Sequence, residues 1–299
     1  MIDHGMICLK GANALEWLNR MNSALELIET RMEAGLDIQE IARAACSSPF
    51  HFQRMFYMIT GVTVGEYVRK RKLTLAAQEL ASTEIKVIDV ALKYGYDSPE
   101  AFAKAFRKIH GISPSEARAP GIKLKAYPRL SFQISLKGDQ EMDYRIVEKA
   151  AFPVVGKSIR VSTVDGENFR RIPKFWNECM EDGTYEALCG LSQGKEVFGI
   201  CMEFCKDQHE LTYMIAVQSD AAVPNGMEQR EIPAATWAVF PSVGPMPAAI
   251  QKVWQRIFAE WFPATGYEHA DAPELEVYPT SAMDEAEYRC EVWIPIAKK

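Results

Sequence analysis

The sequence predicts an all-α N-terminal domain with a double helix-turn-helix, followed by an α+β domain made of two strand-helix-strand-strand repeats. The first prediction rests on a repeat: SPFHFQRMF at Ser48–Phe56 returns fifty residues later as SPEAFAKAF at Ser98–Phe106. The second rests on the order of apolar patterns after residue 141, where short strands and amphipathic helices alternate and the order then recurs.

Each copy of the N-terminal repeat has the start signal of a helix. A serine stands at the N-cap and a proline at the first helical position. Apolar residues then share one face of each helix: Phe52, Met55, Phe56 and Ile59, and Phe102, Ala105, Phe106 and Ile109. Short amphipathic helices at 38–45 and 87–94 precede them. Helix, tight turn and helix form the motif whose second helix enters the major groove of DNA.

Residues 14–120 therefore resemble the double helix-turn-helix domain of AraC-type transcription regulators. The matching residues are Ile41-Ala42, Ser48–Phe56, Gly61, Tyr67, Arg71–Ala76, Val90-Ala91, Gly95-Tyr96, Ser98, Phe102, Phe106, Gly111, Ser113-Pro114 and Arg118. The sequence departs from the family at Glu116-Ala117, where an aromatic residue is usual, and at the small Ala103. The resemblance implies double-stranded DNA as the partner.

A helix at 14–34 is expected to pack before the first unit, with residues 1–13 as a loose leader. Residues 65–82 form a connecting helix that would set the two recognition helices in successive major grooves. The run Arg69-Lys70-Arg71-Lys72 lies on this connector. Phosphate contact and a solvated or structural role are both open for these four residues.

Base contacts are expected from the N-terminal part of each recognition helix. The candidate DNA-binding residues are Ser48, Phe50, Gln53 and Arg54 in the first unit and Ser98, Glu100, Lys104 and Arg107 in the second. Arg54 has the geometry for guanine and Gln53 for adenine, and Phe50 can meet a thymine methyl group. Glu100 can accept from cytosine or cap its own helix, and the cap is favoured.

A boundary is expected at Ala119-Pro120-Gly121, with 121–140 as a linker and 141–299 as the second domain. The predicted elements of this domain are a pair of strands that pair with each other, Tyr144–Glu148 and Phe152–Val161, helix Asn168–Met180, strands Val197–Phe204, Leu211–Val217 and Met227–Pro241, helix Pro247–Trp261, and strands Leu275–Tyr278 and Tyr288–Ile296.

This layout resembles the GyrI-like effector-binding domain that follows AraC-type modules in Rob-like regulators. The residues that carry the likeness are Ile232-Pro233-Ala234, Trp237, Phe240–Gly244, Trp254, Glu276–Pro279 and Glu291–Ile296. The resemblance implies a small-molecule effector, often a lipophilic cation, bound in an aromatic cleft.

Glu291 and Trp293 are two residues apart on the last predicted strand, so they face the same side. A carboxylate beside an indole suits an organic cation. The candidate effector-binding residues are Glu291, Trp293, Tyr278, Tyr213, Trp176 and Phe175. Core packing is the favoured alternative for Phe175, Trp176 and Trp254. A neutral Glu291 hydrogen-bonded to a tyrosine is the structural alternative for that carboxyl group.

Two other functions stay open for the second domain. One is hydrolysis of a small molecule, with Glu291 as base and Tyr213 or Tyr278 assisting. The other is contact with a protein partner such as RNA polymerase. Cys201, Cys205 and His209 lack the usual spacing of zinc ligands. The histidines have no nucleophile and orienting group nearby, so we expect no catalytic residue, no metal and no cofactor.

Composition fits a cytoplasmic regulator. No apolar run reaches the roughly 20 residues that span a bilayer, the N-terminus has no secretory signal pattern, and the seven cysteines follow no disulfide framework. The region 43–118 has 12 Lys or Arg against 7 Asp or Glu, whereas residues 121–299 have 19 against 26. A basic module beside an acidic one is consistent with DNA binding at one end and no membrane partner.

Overall fold

The computed structural model describes residues 4–33, 35–132, 141–163, 166–192, 196–205, 210–280 and 287–298. The chain divides into two compact units, one formed by Glu16–Ile134 and one that contains Ser135–Lys299. The helices of the first part are α1 (His4–Thr30), α2 (Ile38–Ala44), α3 (Pro49–Thr60), α4 (Val64–Ser82), α5 (Val87–Lys93) and α6 (Pro99–His110), followed by a 3₁₀ turn at Glu116–Arg118.

The two predicted helix-turn-helix units are confirmed. Ser48 Oγ accepts from the His51 amide at 3.2 Å and Ser98 Oγ from the Ala101 amide at 3.1 Å, so a serine caps each second helix as expected. The apolar faces of the second helices are buried, with Phe52 and Phe56 in one unit and Phe102 and Phe106 in the other. All four rings are inaccessible to solvent, and they anchor both helices.

The first helix is longer than predicted, because α1 begins at His4 and ends at Thr30. Residues 4–13 were expected to be a loose leader, and they are helical instead. Two glycines in this stretch cost about 1 kcal/mol each in helix propensity. That penalty does not stop a helix once a packed segment downstream has nucleated it.

Residues 122–132 form an extended strap that packs on the helical unit. Four of its main-chain amides donate to helix side chains: Lys125 to His110 Nδ1 (3.3 Å), Tyr127 to Thr74 Oγ1 (3.0 Å), Leu130 to the Tyr67 hydroxyl (3.1 Å) and Phe132 to Asn22 Oδ1 (3.3 Å). The expected linker at 121–140 therefore belongs to the helical unit over most of its described length. Pro120-Gly121 marks a turn, as the sequence predicts. The strap after this turn is held by side-chain acceptors of helices that are distant in sequence.

The second unit is an antiparallel sheet with helices. Its elements are β1 (Arg145–Lys149), β2 (Phe152–Ser162), α7 (Glu167–Glu181), α8 (Thr184–Leu191), β3 (Glu196–Cys205), β4 (Glu210–Gln218), β5 (Glu228–Ile232), β6 (Ala235–Val243), α9 (Ala248–Arg256), a π-helical turn at Ile257–Trp261, α10 (Phe262–Ala264), β7 (Tyr267–His269), β8 (Glu274–Pro279) and β9 (Arg289–Lys298). None of the described helices in the chain is long and apolar enough to cross a membrane.

The strand order β1-β6-β9-β8-β3-β4-β2-β5, with β7 beside β9, confirms the two strand-helix-strand-strand repeats. One repeat contributes β2, α7, β3 and β4, and the other contributes β6, α9, β8 and β9. The central pair β3 and β8 relates the two halves, and Phe198 faces Val277 there.

Two predictions about the strands are wrong, one about pairing and one about where a strand ends. Strands β1 and β2, expected as a pair, do not pair: β1 adds to β6 and β5 adds to β2, so each edge strand joins the other half. The strand expected at 227–241 is two strands, β5 and β6, separated by Pro233-Ala234. Proline supplies no main-chain donor and interrupts a ladder.

Alternation along the strands gives the sheet two different faces. One face carries an apolar core that includes Phe198, Met214, Trp237, Leu275 and Val277. The other packs against α7 and α9. We call these the core face and the helix face.

Candidate DNA-binding surface and effector site

The outer side of α6 is a polar surface at the start of the second recognition helix. Glu100, Lys104 and Arg107 are exposed on it, and Ser98 provides the cap. Because Ser98 caps the helix, the favoured capping role of Glu100 is not needed. The carboxylate lies in the first turn, where it can accept from a base.

In α3 the candidate base-reading residues share a face but are less accessible. Gln53 is half-buried, and its amide donates to the Pro49 carbonyl at 3.3 Å. Phe50 and Arg54 are only 7% and 6% exposed, and the Arg54 guanidinium carbon lies 6.0 Å from the centre of the Phe50 ring. Base contact by these residues remains a prediction, and it requires both side chains to be more exposed on DNA than they are in this structure.

The basic run on α4 is mainly structural. Arg71 donates to both carboxylate oxygens of Glu29, with the shortest bond at 2.7 Å, and to the Tyr127 carbonyl at 2.8 Å. Lys72 donates to the Tyr94 carbonyl at 3.1 Å. Of the four residues, Arg69 is the exposed one. These bonds favour the structural alternative for Arg71 and Lys72. Phosphate contact stays a prediction, and the exposed Arg69 is the residue best placed to make it.

On the helix face of the sheet, a carboxylate is surrounded by aromatic side chains. Glu276 of β8 accepts from Trp254 Nε1 of α9 and from the Tyr278 hydroxyl, each at 2.8 Å. Trp176 of α7 donates through Nε1 to the Tyr213 hydroxyl at 2.8 Å, and its ring meets Tyr278 edge-on at 5.3 Å. We call these five residues the central cluster. The tryptophans come from the helices of the two repeats, so the cluster lies where the halves meet.

Solvent reaches part of the central cluster. Glu276, Tyr278 and Trp176 are half-buried, whereas Tyr213 and Trp254 are almost completely buried. Burial and the adjacent Glu276 carboxylate raise the pKa of Tyr278 well above 10. The phenol therefore stays protonated and donates to Glu276 at neutral pH.

A glycine makes room for the cluster. An added Cβ at Gly199 of β3 would lie 2.3 Å from the Tyr213 hydroxyl and 3.4 Å from the Trp176 ring. Any larger residue there would displace the hydrogen-bonded pair.

Glu291 and Trp293 lie on the core face, away from the central cluster. Glu291 pairs with Val277 and Val292 pairs with Glu276 in the ladder between β9 and β8, so the two glutamates point to opposite faces. Glu291 accepts from Arg145 at 2.8 Å and from Trp293 Nε1 at 2.9 Å. The chain's own guanidinium thus occupies the position where the sequence predicts a ligand cation.

The predicted effector set is therefore divided. Tyr213, Tyr278 and Trp176 are brought together, Phe175 is fully buried, and Glu291 with Trp293 belongs elsewhere. Glu291 is not near Tyr213 or Tyr278 in the way a hydrolase would need, because those tyrosines are on the helix face. His209, one of the three weak metal-ligand candidates, lies outside the described residues.

Sequence reasoning missed Glu276, Trp254, Gly199 and Arg145 as site residues. Glu276 shows the same signal that singled out Glu291, since it is an acidic residue inside an apolar strand, ELEVYP. Arg145 carries no such signal, because its salt bridge depends on β1 pairing with β6 in the other repeat.

A double helix-turn-helix unit is a DNA-binding fold, and in this chain it is followed by an α+β unit that carries an acidic aromatic cluster. Comparison with known families agrees, since the GyrI-like small molecule binding domain matches residues 142–297 and a helix-turn-helix domain matches residues 41–119. The chain belongs to the GyrI-like family, and its N-terminal part belongs to the AraC-type helix-turn-helix regulators.

Curated relatives match the helical part. The HTH-type transcriptional activator AarP of Providencia stuartii is 42% identical over 95 residues, which is 32% of this chain and 70% of AarP. The regulatory protein SoxS of Salmonella typhimurium is 37% identical over 98 residues, which is 33% of this chain and 92% of SoxS. Among solved structures, SAV2435 bound to tetraphenylphosphonium is similar to the second unit at 22% identity and a TM-score of 0.48, covering 52% of this chain and 94% of that one.

Proposed function

We propose that this protein controls transcription in response to a lipophilic organic cation bound at the central cluster. The observation that carries the proposal is the half-buried Glu276 carboxylate, held by Trp254 and Tyr278 beside the ring of Trp176. A cation placed there meets a fixed negative charge and aromatic faces.

The surroundings of Glu276 support an apolar cation over a metal ion or a small hydrated cation as the ligand. The donors around Glu276 are an indole and a phenol, which leave aromatic surface rather than further oxygen ligands at the site. Hard metal cations prefer several oxygen ligands. A delocalised cation with apolar substituents loses little hydration on entering and gains contact with the rings.

In this proposal the helical unit binds DNA and thereby acts on transcription. Two recognition helices in one chain can read two major grooves without dimerisation. AarP is named as a transcriptional activator, and we extend activation to this chain as part of the proposal, with RNA polymerase as the partner. The effector is bound and not turned over in this account.

Titration calorimetry with a panel of lipophilic cations tests the site. Glu276→Gln keeps the size of the side chain and removes its charge. The amide oxygen can still accept from Trp254 Nε1, and the amide nitrogen can donate to the Tyr278 hydroxyl, which accepts in this variant instead of donating. We expect at least a tenfold loss of affinity, equivalent to about 1.4 kcal/mol. Recovery of every cation unchanged after the titration is the expected sign that no turnover occurs.

Glu291→Gln is the matched control, because it removes the charge of a glutamate on the neighbouring strand β9 and leaves the central cluster intact. Its affinity should stay within about twofold of wild type. An equal loss in both variants, or a loss only in Glu291→Gln, would move the site to the core face and contradict the proposal.

A further inference from the structure

A thiol and a thioether meet on the helix face of the sheet. Cys290 of β9 is 3% exposed, and it lies two residues before Val292, so both side chains point to this face. Its Sγ lies 4.0 Å from Sδ of the half-buried Met246, in the loop between β6 and α9. We call Cys290 and Met246 the sulfur pair. The two residues are 44 positions apart in sequence, so no local spacing predicts the contact.

The main chain fixes the loop that carries Met246. The Gly244 amide donates to the Tyr288 carbonyl at 2.9 Å, which closes the loop against the start of β9. Gly244 has φ 123°, a conformation that glycine adopts without steric cost. Helix α9 begins two residues after Met246. The loop is therefore anchored at both ends, and Met246 is held beside Cys290.

A buried hydroxyl faces the sulfur pair. Ser242 of β6 is directly opposite Cys290 in the ladder and is 1% exposed. Directly opposite residues have Cβ atoms about 5 Å apart. Among the described residues, none forms a hydrogen bond of normal length with Ser242 Oγ, and a buried hydroxyl in that position calls for a specific reason. Donation to a thiolate at Cys290 supplies one.

The charges around Cys290 favour a cation. Burial raises the pKa of the Cys290 thiol to about 11, the Ser242 hydroxyl acts in the opposite direction, and the carboxylates of Glu276 and Glu291 raise the pKa further. A bare thiolate would add a third negative charge at a buried position, which is costly. A bound metal cation would neutralise it.

The separation of the two sulfurs suits one metal ion. A metal–sulfur bond is roughly 2.3 Å long, so sulfurs 4.0 Å apart subtend an angle of about 120° at a metal that bonds to both. Thiolate and thioether are soft ligands, and they select Cu(I). Structural Zn²⁺ takes four nitrogen or sulfur ligands, and Ca²⁺ or Mg²⁺ takes oxygen ligands. A sulfur pair beside a hydroxyl suits neither class.

We propose that Cys290 and Met246 bind Cu(I), with Ser242 donating a hydrogen bond to the thiolate. The metal replaces the thiol proton, which Cys290 donates toward Met246 Sδ in this structure. The S–H bond breaks, a sulfur–copper bond forms and the proton leaves to solvent, while the oxidation state of copper stays the same. The proposal does not depend on the organic cation, because the sulfur pair is separate from the five residues of the central cluster.

The affinity of the full-length protein for Cu(I) is measured without oxygen, by competition with a chromophoric Cu(I) chelator. We expect one tightly bound Cu(I) per chain. Its affinity should fall at least a hundredfold in Cys290→Ser and about tenfold in Met246→Leu. Leucine keeps the apolar character and approximate volume of methionine, so this variant tests the thioether even if Cys290→Ser folds poorly.

Cys179→Ser is the matched control. Cys179 is completely buried, and burial raises the pKa of its thiol to about 11 as well. Lys157 and Asp182 act on this thiol, whereas a thioether lies beside Cys290. The control variant should bind Cu(I) within about twofold of wild type. X-ray absorption at the copper edge should show two sulfur neighbours at roughly 2.3 Å in the wild-type complex.

Wild-type affinity in both Cys290→Ser and Met246→Leu would overturn the proposal, and so would an equal loss in Cys179→Ser. A loss confined to Cys290→Ser would remove Met246 from the site and contradict the sulfur pair. An absorption spectrum with only nitrogen or oxygen neighbours would place the copper elsewhere. Displacement of Cu(I) by an equimolar amount of Zn²⁺ would contradict the choice of metal.

Discussion

At the residue scale, the turn of the first unit contains a conformation that its side chain disfavours. Cys46 has φ 50°, and the equivalent position of the second unit is Gly95 with φ 77°. The equivalence is set by the amides of both residues, which bond to the carbonyls of Arg43 and Leu92. A Cβ in the left-handed region clashes with the following carbonyl, and glycine avoids that clash.

We predict that Cys46→Gly stabilises the helical unit by about 0.5–1 kcal/mol, since relief of the left-handed strain exceeds the entropy cost of glycine in the unfolded chain. Urea unfolding of the full chain, followed by circular dichroism at 222 nm, measures the change. Gly95→Ala is the reciprocal variant and should destabilise. Equal stability of Cys46→Gly and wild type would show that the first turn carries no such strain.

Some of the roles of single residues could be predicted from the sequence. Serine caps and buried phenylalanines follow from local pattern, because their roles depend on neighbours within one helix. The division of Glu276 and Glu291 between two faces depends on the register of β8 against β9, which no local pattern contains. A shift of the strand pairing by one residue would change which glutamate faces the aromatic rings of the central cluster.

At the element scale, we expect the sequence specificity to come from the two recognition helices. We predict that Arg54→Ala costs about 1–3 kcal/mol in affinity for the operator and relaxes selectivity at one base pair. Binding to a library of single-base operator variants measures this. A uniform loss over all sequences would make Arg54 a phosphate contact, and no loss at all would exclude it from the interface.

The strap depends on the protonation state of a buried histidine. His110 Nε2 lies 3.1 Å from the Leu73 carbonyl and donates to it, so Nδ1 of the neutral ring accepts the Lys125 amide. Burial lowers the pKa of His110, and the nearby Lys125 ammonium acts in the same direction. A proton on Nδ1 would replace the acceptor by a donor that faces another donor.

The sign of the pH effect follows from that lowered pKa. Below about pH 6.5 the unfolded chain binds a proton at this histidine more readily than the folded chain does. The stabilisation is complete above pH 6.5 and is lost as the pH falls through the window between the unfolded and folded pKa values. Acid should therefore loosen the strap at Lys125.

We predict that hydrogen exchange at the Lys125 amide, corrected for its intrinsic rate, loses protection between pH 7 and pH 5. The Leu130 amide donates to the Tyr67 hydroxyl, whose pKa burial and Glu29 raise to about 12, so its protection should change little. Parallel loss at both amides would indicate global unfolding instead of release at His110.

The strap was only partly predictable from the sequence. Pro120-Gly121 correctly marks a turn, and the alternating apolar residues that follow suggest an extended segment. That this segment belongs to the helical unit depends on acceptors in α1, α4 and α6, up to 110 residues away in sequence. Local composition cannot identify such partners.

At the scale of the whole molecule, the double repeat of each domain was predictable because each copy repeats its own pattern of apolar residues and turns. The exchange of β1 and β5 between the halves was not. A short strand can satisfy its main-chain bonds equally well on either half, so the choice depends on the geometry of the connections. The same exchange brings Arg145 of β1 to Glu291 of β9.

The central claim is that a cation at Glu276 changes the activity of the DNA-binding unit. It is tested most directly by transcription in vitro from a promoter that contains the selected operator, with purified protein, RNA polymerase and increasing concentrations of a lipophilic cation. We expect the cation to change the transcript yield obtained with the wild-type protein. The Glu276→Gln variant should need at least a tenfold higher cation concentration for the same change, and Glu291→Gln should respond like wild type. An identical cation response in wild type and Glu276→Gln would contradict the account.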